Sequence, residues 1–167
     1  MTATRTLAEL EARATINDAL RSYCRGIDRL HPPSIAAAFH TNAVLDGYGA
    51  NEQISIEMFV PKVIASLRAK YVATQHRLSN VTIEIDGDAA LVESYVLAYH
   101  VAHHDNGRTL STFNGRYIDR FEVRNGAWKI AQRMLRMDWS EVSSLGDQLV
   151  GAYVCSGRDG SPDPIFG

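Results

Sequence analysis

The sequence predicts an α+β protein in which a cone-shaped curved sheet, mixed or antiparallel, packs on about three N-terminal helices. Three observations predict it. Apolar side chains recur at helical spacing through most of residues 7–70, the period changes to two from Val72 onward, and the alternating runs are separated by Asp86-Gly87, Asp105-Asn106-Gly107 and Asn125-Gly126, which are hairpin-turn signals. Helices at one end of the chain and strands at the other bury both apolar surfaces by packing face to face.

Thr6 with Glu9 three residues on forms a capping box, and Leu7, Leu10, Ile16, Leu20, Tyr23 and Ile27 follow at helical spacing, so residues 7–29 are predicted to form one amphipathic helix. His31, Pro32 and Pro33 stop it, and Pro33 or Ser34 opens a short second helix through Phe39. Residues 42–46 read as a short strand, 47–53 as a loop and 55–70 as a third helix, with Pro61 as an alternative start because proline fits a first helical position. Val81, Ile83 and Ile85 alternate up to the Asp86-Gly87 turn. Runs 90–103, 109–123 and 128–139 then complete four consecutive antiparallel strands. Strands of this length exceed the usual ~5–6 residues and bend as they twist, which makes the sheet a cone.

The 167 residues fit one domain, with a core at about 7–140 and a C-terminal tail at 141–167. A chain of that length buries roughly 70% of its unfolded surface, enough for a core and a cavity. A formal net charge of -2 supplies no basic field for nucleic acid. The N-terminal residues lack a signal-peptide apolar core, and no stretch approaches the ~20 apolar residues of a membrane span, so a cytoplasmic location without membrane contact is expected. Cys24 and Cys155 match neither a CxxC site nor a disulfide framework and read as buried or incidental thiols. The tail from Gly157 is rich in Gly, Ser, Pro and Asp and reads as loosely held or as cover for a pocket mouth.

Three stretches carry a family resemblance: Tyr23-Cys24-Arg25-Gly26-Ile27-Asp28 at the end of the first helix, Gln75-His76-Arg77-Leu78-Ser79-Asn80 entering the first long strand, and Asn125-Gly126-Ala127-Trp128-Lys129-Ile130 in the last hairpin. In order and spacing they resemble the SnoaL-like group of the nuclear-transport-factor-2-like superfamily, with its cystatin-like α+β roll, nearest to the scytalone dehydratase and hexachlorocyclohexane dehydrochlorinase branch. The resemblance implies a His-Asp dyad at His76 and Asp28, with Arg133 in the place of a cavity-facing arginine. It points to His100 and Tyr117 as cavity residues and implies that no cofactor is needed. It also implies a small hydrophobic or cyclic ligand and a homo-oligomer, trimer or dimer. Tyr23, about a turn before Asp28, is a further hydroxyl able to polarise a substrate oxygen.

The dyad chemistry is sound. A carboxylate that accepts from one imidazole nitrogen fixes the tautomer and raises the basicity of the other, which can then remove a proton from carbon. The expectation is therefore a lyase or isomerase, dehydratase-like, with His76 as base, Asp28 as its orienter and Arg133 stabilising the leaving group. A non-catalytic ligand-binding or assembly protein on the same cone is the alternative, because one fold hosts unrelated functions. Bland readings stay open: Asp28-Arg29 as a surface ion pair, Tyr23 as a core residue of the apolar stripe, and one inward arginine by chance among Arg116, Arg120, Arg133 and Arg136. His100, His103, His104 and Asp105 contain the residue types of a zinc or iron site, but His103 points away from the other two on a strand, so no metal site is predicted.

Overall fold

The computed structural model describes residues 6–49, 53–104 and 107–146. The helices are α1 (Leu7–Asp28), α2 (Pro32–Ala37) and α3 (Ile56–Lys70). The strands are β1 (Phe39–Asp46), β2 (Ile54–Ser55), β3 (Ala73–Asp86), β4 (Ala89–His104), β5 (Gly107–Arg124) and β6 (Ala127–Leu145). Cys155, Asp105 and the tail from Gly157 lie outside the described residues. Among the described residues no helix is long and apolar enough to cross a membrane.

Helix α1 starts where Thr6 Oγ1 accepts the Glu9 N–H at 3.2 Å. It buries Ile16, Leu20, Tyr23 and Ile27 along one stripe, and each fully buried aliphatic contributes about 1.5–3 kcal/mol. Its end is a Schellman turn: His31 N donates to Gly26 O at 2.8 Å, Leu30 N donates to Ile27 O at 3.3 Å, and Leu30 takes a left-handed φ of 52°. Gly26 is required there, because a Cβ would meet Ile35 Cγ1 at 2.7 Å and Ile35 N at 2.8 Å. The short α2 thus lies directly on the last turn of α1, which holds Asp28 in place.

The six strands form one curved mixed sheet in the order β2-β1-β6-β5-β4-β3, with β1 parallel to β6 and the remaining pairs antiparallel. The sheet stays open, so β3 is an edge. That edge is blunted in three ways: Asp28 Oδ2 accepts the His76 N–H at 2.8 Å, Arg13 Nη1 donates to Ile83 O at 3.0 Å, and Asn80 takes φ 48° at a register shift between Ser79 and Thr82. On the covered face Ile83, Val92, Val96, Tyr117, Phe121 and Ile130 pack against the helices. The opposite face carries the Glu93–Arg116–Asp138 ion pairs beside exposed Leu91, Tyr95 and Trp139.

Several boundaries differ from the sequence expectation, each for a physical reason. Phe39 opens β1 instead of closing α2, because its ring is buried and Ile130 N donates to Ala38 O at 2.9 Å, starting the parallel pairing. Strand β2, two residues long, shows no alternation to read. Pro61 lies inside α3, whose start is set by Ser55 Oγ accepting the Met58 N–H at 3.3 Å. Strand β6 runs on to Leu145 because β5 pairs with it through Arg108↔Leu145, which the serine-rich stretch after Trp139 did not reveal. The first hairpin turn is Gly87-Asp88, one residue later than read, with Gly87 carrying φ 56°; Asn125-Gly126 turns as expected, with φ 53° and 76°.

Candidate functional site

The last turn of α1 meets the first half of β3. Asp28 Oδ1 accepts His76 Nδ1–H at 2.7 Å and the Thr74 hydroxyl at 3.0 Å, while Oδ2 accepts the His76 backbone N–H at 2.8 Å. Thr74 and His76 are two apart on a strand and so present the same face to the carboxylate. A carboxylate can only accept, so Nδ1 carries a proton, and in the neutral imidazole the lone pair is on Nε2. The side chains of His76 and Asp28 are 9% and 13% exposed, enough to line a groove of about 1030 Å³ whose walls include Leu20, Cys24, Leu78 and Val81. His100 lies edge-on to His76 at 5.4 Å between ring centres, and the Tyr71 ring lies 4.8 Å from His100. Cys24 also borders the groove, but burial pushes its thiol up to about 12, which removes it as a nucleophile.

A second polar centre lies within the core. Asp119 on β5 and Arg133 on β6 are cross-strand neighbours, both 0% exposed, joined by Nε to Oδ1 and Nη2 to Oδ2 at 2.7 Å each. The guanidinium carbon is 4.0 Å from the Tyr117 ring centre and 4.3 Å from that of Tyr23. The Tyr23 hydroxyl meets the Tyr48 hydroxyl at 3.0 Å. Arg133 Nη1 has no hydrogen-bond partner among the described residues. Burial opposes the Arg133 charge, but Asp119 and the hydrogen bonds to it outweigh burial and hold the guanidinium well above its ordinary value. Burial pushes the Asp119 carboxyl up while Arg133 pulls it down. The two-point geometry, with short bonds to both oxygens, is that of an ionised pair. Burial also raises the Tyr23, Tyr48 and Tyr117 hydroxyls, so all three stay protonated donors at neutral pH.

The six residues singled out in the sequence therefore divide. Asp28 and His76 come together at the groove with His100 against the His76 ring, whereas Arg133, Tyr23 and Tyr117 gather around Asp119 in the sealed core. Arg133 faces inward, where the resemblance put a cavity-facing arginine, yet two of its nitrogens are spent on a carboxylate. Thr74, Tyr48 and Asp119 were missed. Thr74 carried a readable signal, the Thr-x-His spacing on a strand; Asp119 carried one too, because it shares the buried parity of Tyr117 and Phe121. Tyr48 lies beyond β1 in an irregular segment with no period to betray it. Among the described residues no group of three or more His, Cys, Asp or Glu side chains is placed to hold a metal.

A helical cap on an open curved sheet, with a carboxylate and an imidazole meeting at its edge, defines a class of cone-shaped α+β proteins. Residues 8–134 match the SnoaL-like domain family, and the chain belongs to it. The fold is similar to a type 2 hexachlorocyclohexane dehydrochlorinase (LinA), at TM-score 0.75 and 19% identity over 89% of this chain and 99% of that one. It is similar to a protein of Novosphingobium aromaticivorans DSM 12444 named as a candidate scytalone dehydratase, at TM-score 0.67 and 23% identity over 83% and 91%. A Nostoc punctiforme PCC 73102 protein of unknown function with a cystatin-like fold gives TM-score 0.58 and 20% identity over 81% and 96%. Identities of this size establish the fold alone. No curated protein matches the chain by sequence.

Proposed function

We propose that this chain is a cofactor-independent lyase or isomerase, dehydratase-like, acting on a cyclic and largely apolar small molecule bound in the groove. The observation that carries the reading is the 2.7 Å bond from His76 Nδ1 to an Asp28 carboxylate that accepts further bonds from Thr74 and the His76 backbone, with the imidazole bordering the cavity. His76 Nε2 takes a proton from a ring carbon, the released electron pair forms the new double bond, and the bond to the leaving group breaks. With hydroxyl as leaving group, the imidazolium returns its proton to that oxygen and water departs; with halide, the anion leaves and the proton passes to solvent. Asp28 orients the ring and stabilises the imidazolium. Arg133, held on Asp119 in the core between Tyr23 and Tyr117, reaches the groove only through its field, and His100 lies edge-on beside His76. Titration of a bound ligand against stability is the direct test. Cyclic ketones, hydroxylated aromatics, terpenoids and steroids are screened by thermal shift on wild type and His76→Ala. A compound that stabilises the wild type, and whose consumption is lost in the variant, supports the reading; binding to both proteins with no conversion overturns it.

One observation favours a second reading, a ligand-binding or assembly protein on the same cone: Arg133 is sealed and bound to Asp119, so the groove itself offers the dyad no second charged helper from that quarter. The exposed Leu91, Tyr95 and Trp139 on the outer face of the sheet suit burial against further copies of the chain, as a dimer or trimer. Light scattering measures that state, and a monomer at micromolar concentration contradicts it.

A further inference from the structure

Three donors to Asp28 come from two residues of one strand, and two of the three belong to the histidine. The third is the hydroxyl of Thr74, a buried side chain paired across the sheet with His100 and lying before the register shift that begins after Ser79. Its position is therefore set by regular strand pairing. Because the carboxylate only accepts, the Thr74 proton is committed to Oδ1, the same oxygen that receives His76 Nδ1–H. Asp28 is the last residue of α1, and its side chain turns about its own torsions unless both oxygens are tied. The His76 backbone N–H ties Oδ2, and Thr74 ties Oδ1 independently of the imidazole.

We infer that Thr74 is a positioning residue: it locks the Asp28 carboxylate so that His76 keeps its proton on Nδ1 and presents Nε2 as the basic nitrogen. Without the hydroxyl, Oδ1 loses one of the two side-chain donors that β3 supplies to it. The carboxylate then gains freedom to turn, and the ring loses the constraint that selects one tautomer. A threonine serving only as a strand former behaves differently, since valine has its shape and an equal liking for strands. The inference rests on the proposed use of Asp28 and His76, yet its first readout needs no substrate.

Histidine side-chain 15N–1H correlation spectra at alkaline pH, with His76 assigned by its loss in His76→Gln, report the tautomer directly. Wild type and Thr74→Ser are expected to show the Nδ1–H form alone, and Thr74→Val a mixture with substantial Nε2–H. On a converted substrate, Thr74→Val is expected to lower kcat about tenfold with KM nearly unchanged, and Thr74→Ser to restore it. If valine does not fold, Thr74→Ala removes the same hydroxyl with less bulk and is read in the same way. A pure Nδ1–H tautomer in the variant lacking the hydroxyl overturns the inference. A tautomer mixture in a protein that converts no compound leaves Thr74 as the lock and removes the lyase reading instead.

Discussion

Two carboxylate-centred pairs share this cone and differ chiefly in what surrounds them. Asp28 and His76 sit at the open edge of the sheet, partly solvated, with their hydrogen bonds supplied by one strand and one helix end. Asp119 and Arg133 sit across two central strands, wholly buried, between the rings of Tyr23 and Tyr117. An imidazole changes charge within the physiological range and can pass a proton on; a guanidinium cannot. On the proposed function proton transfer falls to the outer pair, while the buried pair fixes β5 against β6 and keeps one donor nitrogen, Nη1, without a partner among the described residues. Burial without partners makes a charge costly, so the inner pair exists as a unit or not at all.

The largest expected effect sharpens the contrast from the outer side. His76→Ala lowers turnover of a converted substrate roughly a hundred- to ten-thousandfold, while urea denaturation shows a stability change within about 1 kcal/mol. From the inner side, Asp119→Ala leaves a buried guanidinium unpaired and lowers stability by about 3–5 kcal/mol, measured by the urea midpoint, whereas Asp119→Leu with Arg133→Met recovers most of it. Equal loss of stability in the His76 and Asp119 variants breaks the comparison. A smaller effect falls on the hinge between helix and site: Gly26→Ala drives a Cβ into Ile35 and costs about 1–3 kcal/mol, with turnover falling as Asp28 moves. The smallest is at the surface. Side-chain hydrogen bonds from Arg124 and Arg120 hold the Glu122 carboxyl below its usual value, so its contribution is present above the ordinary glutamate range and is lost as pH falls through the lowered folded value. Glu122→Gln is expected to change stability by no more than about 0.5 kcal/mol at neutral pH, less in high salt.

Reading the sequence reached the outer pair more readily than the inner one. Asp28 ends the first helix and His76 enters a long strand, and it was the resemblance carried by the two stretches around them that implied the pair. Their meeting depends on the turn at Leu30 and the close approach at Gly26, neither of which has a periodic signal. Arg133 was legible as inward-facing, but its partner was not, because cross-strand register between β5 and β6 includes shifts at Asn114/Gly115 and Arg120/Phe121 that a sequence does not display. The hairpin order was legible from the turn dipeptides. The parallel seating of β1 on β6 was not, since pairing between distant segments leaves no local mark.

Proton abstraction by His76 is the central claim, and hydrogen exchange at the substrate carbon tests it most directly. A stabilising cyclic ligand is incubated in D₂O with wild type and with His76→Ala, and deuterium incorporation at its acidic ring position is followed by NMR. The account predicts incorporation or elimination with wild type and neither with the variant. Equal rates in both proteins would contradict it.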